Sequence, residues 1–200
     1  MVLTSNTGWY LYNFRVNLIN RLADRGYKVH LIAPTDKYLI ELEKNGFNTH
    51  HINIDNKGQN VIKDLKTVFQ YTRILREINP DIIFGFTIKP IIYCGFAAAF
   101  LKIPIINTVT GLGTAFIAGG FLQHIAIILY KLSQRNTDTI VFQNRSDKEF
   151  FLRKRIGIGV PATIIPGSGV DVTRFNVRPL KTKDKKKFLF IGRFLTDKGV

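Results

Sequence analysis

The stretch from Asp81 to Gly113, DIIFGFTIKPIIYCGFAAAFLKIPIINTVTGLG, constrains the fold most. Its runs IIFGF and IPIINTV are short and β-branched, the signature of fully buried parallel strands. Between them a small-residue helix over roughly 91–101, with Ala97, Ala98 and Ala99, can lie close on a sheet. Each strand empties into a polar or glycine-bearing loop, Thr87 to Pro90 and Thr110 to Gly113. In an open parallel sheet ligands bind beyond the carboxyl ends of the strands, so these loops are the first candidates for a site.

The same alternation extends both ways. MVLTSN reads as a short strand, followed by a helix over 10–25 with Leu11, Phe14, Leu18 and Leu22 inward and Gly26 ending it. YKVHLIAP and NTHHINI read as strands flanking a helix over 36–45 capped by Asp36. A helix over 60–78 follows, with Val61, Leu65, Val68 and Leu75 inward, stopped before Pro80. Beyond the central unit come a helix over 121–135, the strand TDTIVFQN, a helix with Ser146 and Glu149 at capping-box spacing, and the strand ATIIPG. Strands alternating with helices predict an α/β fold with a doubly wound parallel sheet, Rossmann-like. Residues 1–175 form that domain, 176–187 a charged linker, and 188–200 the first strand and loop of a second, truncated domain.

The chain carries 29 basic and 14 acidic side chains, net +15, concentrated toward its carboxyl end. Such a field draws it toward anionic lipid, phosphate-bearing ligands or nucleic acid, or serves solubility alone. No helix-turn-helix, zinc or RNP pattern supports nucleic acid. The charge-free run from Ile103 to Tyr130 is broken by Pro104, polar residues and glycines, so it predicts no membrane span; a shallow interfacial dip of 116–122 is the more credible contact. The single cysteine, Cys94, fits a packing role in a reducing compartment. His30, His50, His51 and His124 lack Cys or carboxylate partners at ligand spacing and read as structural, with no metal expected.

Five segments then occur in order: N-x-G-W-x-L-Y-N-F-R from Asn6, T-I-K-P-x-I-Y from Thr87, T-V-T-G-L-G from Thr108, G-S-G-V-D-x-x-x-F from Gly167, and F-I-G-R-x-x-x-D-K-G from Phe190. Together they resemble a family 4 glycosyltransferase of the two-domain GT-B architecture. They are similar to the amino-terminal, acceptor-side half of the bacterial enzymes that extend undecaprenyl-diphosphate-linked glycans for O-antigen or capsule. The resemblance implies retaining transfer of a hexosyl or N-acetylhexosaminyl group from a nucleotide-sugar, UDP-linked by preference, to a lipid-diphosphate-linked saccharide. It implies no cofactor and no metal, and a cytoplasmic enzyme held peripherally at the anionic inner face of the plasma membrane.

By the same resemblance, Arg193 and Lys198 hold the donor diphosphate, where fixed cations stabilise the charge that builds on the leaving group. Lys89, Thr110, Gly111, Gly113, Asn6 and Gly8 face the acceptor. Arg15, at the border of the first helix's apolar stripe, either reaches acceptor phosphate or snorkels. Gly169 and Asp171 match the segment before the interdomain crossing, a hinge position. No catalytic base is identified, the G-x-G-x-x-G dinucleotide spacing is absent, and an incomplete donor domain leaves this piece inactive alone. Two rivals stand beside this reading. A UDP-sugar 2-epimerase of related fold would need acid and base carboxylates in the cleft, and the named loops hold none. A non-catalytic basic domain would bind the membrane surface by charge, with an affinity that fades steeply with salt.

Overall fold

The computed structural model describes residues 1–55, 60–113, 120–173, 175, 188, 189, 191 and 192. Its compact units are Met1–Gly169 and Val170–Val200. The first is a seven-stranded parallel sheet in the order β3-β2-β1-β4-β5-β6-β7. In chain order the elements are β1 (Val2–Thr4), α1 (Gly8–Asp24), β2 (His30–Ala33), α2 (Lys37–Lys44), β3 (Asn48–His51), α3 (Val61–Ile78) and β4 (Ile83–Phe86). They continue with α4 (Ile88–Leu101), β5 (Ile105–Val109), α5 (Gly120–Ser133), β6 (Thr139–Phe142), α6 (Arg145–Arg153) and β7 (Ala162–Ile164). Each of the seven strands expected within residues 1–175 is present, and the fold is the doubly wound, Rossmann-like α/β sheet; the strand expected from residue 188 onward falls largely outside the described residues.

Strand alternation splits the interior into two cores. Leu3, Leu31, Ala33 and Phe86 face α1 and α2, where Leu11, Ile19, Leu39 and Leu42 meet them. Val2, Ile32, Ile83, Ile105 and Ile140 face the other way, onto Tyr71 and Leu75 of α3, Ile91 to Cys94 of α4 and Tyr130 of α5. Buried Cys94 belongs to this second core, where burial pushes its thiol above the ordinary range. A hydrogen-bonded pair ties α3 to the sheet centre: the hydroxyls of Thr4 and Tyr71 lie 2.8 Å apart, and Thr4 also donates to the Ile32 carbonyl at 2.9 Å.

Two helices turn a different face inward than their leucine spacing suggests. In α1 the buried residues are Gly8, Leu11, Arg15 and Ile19, while Phe14 and Leu18 are exposed. Three- and four-residue spacing fits both stripes, and the close contact of Gly8 with α2 selects the one that contains Arg15. In α3, Thr67, Tyr71 and Leu75 are buried, Val68 is partly buried, and Val61 and Leu65 are exposed. Helix α4 begins three residues before its expected start, with Pro90 in its first turn, where a missing N–H costs nothing. The cap of α6 is Asn144, whose side chain accepts from the Asp147 amide at 2.8 Å, rather than Ser146.

On the sheet edge, His30 Nδ1 and His50 Nε2 lie 2.9 Å apart with their rings stacked. Both imidazoles are held below their usual range, chiefly by burial. The His50 ring and Lys28 add to this for His30, while Glu77 partly offsets it for His50. The folded-state values therefore lie below the unfolded ones, so the stability this confers is complete above about pH 6.5 and is lost as pH falls below it. Thermal melts should show a smaller loss in melting temperature between about pH 7.5 and about pH 5.5 in His50→Gln than in wild type. Equal losses would mean that the pair does not titrate with unfolding.

Candidate active site

All seven strands point the same way, so their carboxyl ends form one rim. The crossovers reverse direction between β1 and β4, which places the crevice of the fold at the loops that follow these two strands. The loops are joined: Thr87 Oγ1 accepts from the Asn6 amide at 3.1 Å and donates to the Phe86 carbonyl at 2.5 Å. Thr87 has φ +66°, a left-handed conformation that a β-branched residue rarely adopts. Asn6 thus lies in the loop after β1, with its backbone amide engaged by Thr87.

Gly8 serves packing instead of ligand approach. A Cβ there would lie 2.4 Å from Asp36 Oδ1 and 2.6 Å from the Leu39 amide. The Asp36 carboxylate joins two helix starts, accepting from Tyr38 (3.0 Å) and Leu39 (2.8 Å) in α2 and from Trp9 (2.9 Å) in α1. Thr7 caps Tyr10 at 3.1 Å. These bonds engage the Trp9 and Tyr10 amides in the first turn of α1, a turn whose amides in other doubly wound folds are available to phosphate.

Beside this closed helix start lies a cation. Arg15 is only 9% exposed, its guanidinium 4.4 Å above the Phe86 ring centre and its Nη2 donating to the Tyr10 hydroxyl at 2.7 Å. Its Nε is buried with no acceptor, and none of the ion pairs among the described residues includes it. Arg15 is therefore part of the buried stripe and does not snorkel. Burial raises the pKa of the Tyr10 phenol, while Arg15 opposes that rise, with lesser contributions from the nearby Ser168 and Thr110 side chains. Loops after β5 and β7 thereby converge on the α1 face of the rim.

Lys89 is placed differently from Arg15. It lies in the first turn of α4, not in a loop, on the opposite face of the sheet from α1. Its Nζ donates to the Asp55 carbonyl at 2.5 Å and to Asp64 Oδ1 at 3.3 Å, with the Tyr93 ring centre 5.8 Å away. Burial raises the Tyr93 phenol above its usual range, and a hydrogen bond to Asp64 adds to the shift. Carboxylates thus reach the rim from Asp55 and Asp64, outside the loops after β1, β4 and β5. Gly113, at φ +70°, lies against Ile88, where a Cβ would be 2.8 Å from its Cδ1, whereas Gly111, at φ +128°, has nothing within 4 Å of its Cβ position among the described residues. Of the two glycines, Gly111 is the one that admits a close approach.

Gly169 has φ +76° and closes the first compact unit. Asp171 accepts from the Thr173 amide at 3.0 Å and from its hydroxyl at 2.6 Å, a local turn in the second unit. Arg193, Lys198 and residues 116–119 lie outside the described residues. Among the described residues, no three His, Cys, Asp or Glu side chains converge as metal ligands would, and no helix is long and apolar enough to cross a membrane.

A doubly wound parallel domain with a basic, hydroxyl-lined crevice at its switch point defines the class: an α/β domain of the kind used in GT-B enzymes. More narrowly, the chain belongs to the glycosyl transferase 4-like family, whose model matches residues 1–144. It is similar to an N,N'-diacetylbacillosaminyl-diphospho-undecaprenol alpha-1,3-N-acetylgalactosaminyltransferase of Campylobacter jejuni, with 29% identity over 97% of this chain and 52% of the relative. The UDP-N-acetylglucosamine–N-acetylmuramyl-(pentapeptide) pyrophosphoryl-undecaprenol N-acetylglucosamine transferase of Colwellia psychrerythraea is 25% identical over 59% of this chain and 34% of its own length. The chain therefore spans about half or less of these relatives. A putative UDP-N-acetylglucosamine 2-epimerase from Listeria monocytogenes shares the fold, with TM-score 0.59 and 16% identity over 82% of this chain and 43% of that one.

Proposed function

We propose that this chain is the acceptor-side lobe of a retaining glycosyltransferase that moves a sugar from a UDP-linked donor to a lipid-diphosphate-linked saccharide in cell-surface glycan synthesis. The observation that carries the reading is the 29% identity, over 97% of the chain, to a transferase whose acceptor is a diphospho-undecaprenol. The crevice chemistry supports it. Cationic side chains, hydroxyls of Tyr10 and Thr110, and an unobstructed Gly111 suit a ligand with both phosphate and sugar hydroxyls. In this reading the loops after β1, β4 and β5 hold the acceptor, Gly169 and Asp171 form the hinge, and Arg193 and Lys198 hold the donor diphosphate. Charge develops on the leaving diphosphate during transfer, and fixed cations there lower the barrier without a metal or cofactor.

Exposed Val61, Ile62, Leu65 and Phe69 on α3, interspersed with Lys63 and Lys66, support peripheral attachment to an anionic bilayer at its cytoplasmic face. The full-length protein, incubated with bacterial membranes and radiolabelled UDP-sugars, should place label in an extractable lipid. Label that stays in water with every donor would remove the proposal, whereas a change of sugar without transfer would favour an epimerase.

A further inference from the structure

Among the described residues, no carboxylate balances the positive charge that Arg15 brings to the crevice. Arg15 is nine-tenths buried, lies over the Phe86 ring, and is hydrogen-bonded through Nη2 to a neutral phenol. Its Nε finds no acceptor, and no carboxylate pairs with it among the described residues. The other sheltered cation at this rim, Lys89, is paired with Asp64. Burying an unpaired guanidinium is costly, and an apolar side chain of the same length would satisfy the packing against Phe86 at less cost. Two of the amides that an anion would otherwise use at the start of α1, those of Trp9 and Tyr10, are occupied by Asp36 and Thr7.

We propose that the Arg15 guanidinium, oriented by Phe86 and the Tyr10 hydroxyl, is a preformed seat for one phosphate group of the ligand, with Tyr10 a further binding residue and Thr110 and Ser168 close to its hydroxyl. A guanidinium held flat presents a planar fork that matches two oxygens of a phosphate, and the arriving anion supplies the missing counter-charge. This rests on the transferase reading only for the source of the phosphate: the acceptor's lipid diphosphate supplies it. The seat itself requires only an oxyanion.

The test uses the full-length protein with inorganic pyrophosphate as probe, against sodium chloride at matched ionic strength. Wild type should gain melting temperature saturably with pyrophosphate, beyond the salt control. Arg15→Met should melt at or above wild type without ligand, because an uncompensated buried charge is gone, and should show no pyrophosphate gain. Tyr10→Phe should keep the gain with a midpoint raised about fivefold, the scale of one hydrogen bond. A saturable gain undiminished in Arg15→Met overturns the seat. Should that variant fail to fold, an unchanged midpoint in both Arg15→Lys and Tyr10→Phe overturns it equally.

The source of the phosphate is read from transfer kinetics. Arg15→Lys should raise KM for the lipid acceptor and leave KM for the UDP-sugar unchanged; the reverse pattern would overturn the assignment to the acceptor. An Arg15-dependent pyrophosphate response in a protein that transfers no sugar would leave the seat standing while the transferase reading falls.

Discussion

Gly8→Ala should lower the stability of the first compact unit by about 3 kcal/mol, the upper end for overpacking, and its melting temperature by roughly 10 °C. A new Cβ would stand 2.4 Å from Asp36 Oδ1, 2.6 Å from the Leu39 amide nitrogen and 2.7 Å from Leu39 Cβ. Two of those atoms belong to the start of α2 itself, so relief requires the helices to part. Parting them breaks the bond from Trp9 to Asp36 and lifts α1, with Arg15, away from Phe86. The loss is therefore expected in the melt and in pyrophosphate binding together. A melt within about 2 °C of wild type would show that the α1–α2 contact is easily adjusted.

Lys89→Ala in the full-length protein should reduce transfer about a hundredfold, the scale of one lost electrostatic donor. The lysine is 20% exposed and its partner Asp64 25%, so the pair is sheltered without being sealed. Removing the cation leaves Asp64 beside Tyr93 without its ion pair and releases the Asp55 carbonyl that the ammonium now holds. Lys89→Arg, which keeps the charge, should recover part of the rate, and both variants should bind pyrophosphate at the Arg15 seat as wild type does, since α4 and α1 lie on opposite faces of the sheet. A rate within twofold of wild type in Lys89→Ala would take this residue out of the site.

Local patterns were legible in the sequence, and pairings between distant segments were not. Short apolar or β-branched runs bounded by glycine, proline and polar clusters marked all seven strands; the central ones are buried and leave little compositional freedom, while the edge strands β3 and β7 are largely exposed. Helix faces failed where two stripes competed. In α1 the row through Phe14 and Leu18 is the more apolar, and hydropathy puts an arginine outside; the aromatic ring that shelters Arg15 comes from Phe86, far along the chain. The role of Lys89 was obscured in the same way, since Asp55 and Asp64 meet it only after the β3–α3 segment crosses the sheet. For Ser146 the error was of the opposite kind. A genuine capping pattern, Ser-x-x-Glu, overlaps a second one, and Asn144 with Asp147 two positions earlier wins by exchanging two hydrogen bonds of 2.8 Å.

Thr87 stitches together the two halves of the fold at the point where the winding reverses, and it does so from a backbone conformation that costs about 1–3 kcal/mol to hold. A corner maintained against that cost is held by its surroundings, and it is expected to keep its shape when a guest arrives. Adjustment to differently shaped sugars then falls to the Gly111 turn, so a swap of that turn between relatives should retune which saccharide is admitted without disturbing the grip on its phosphate.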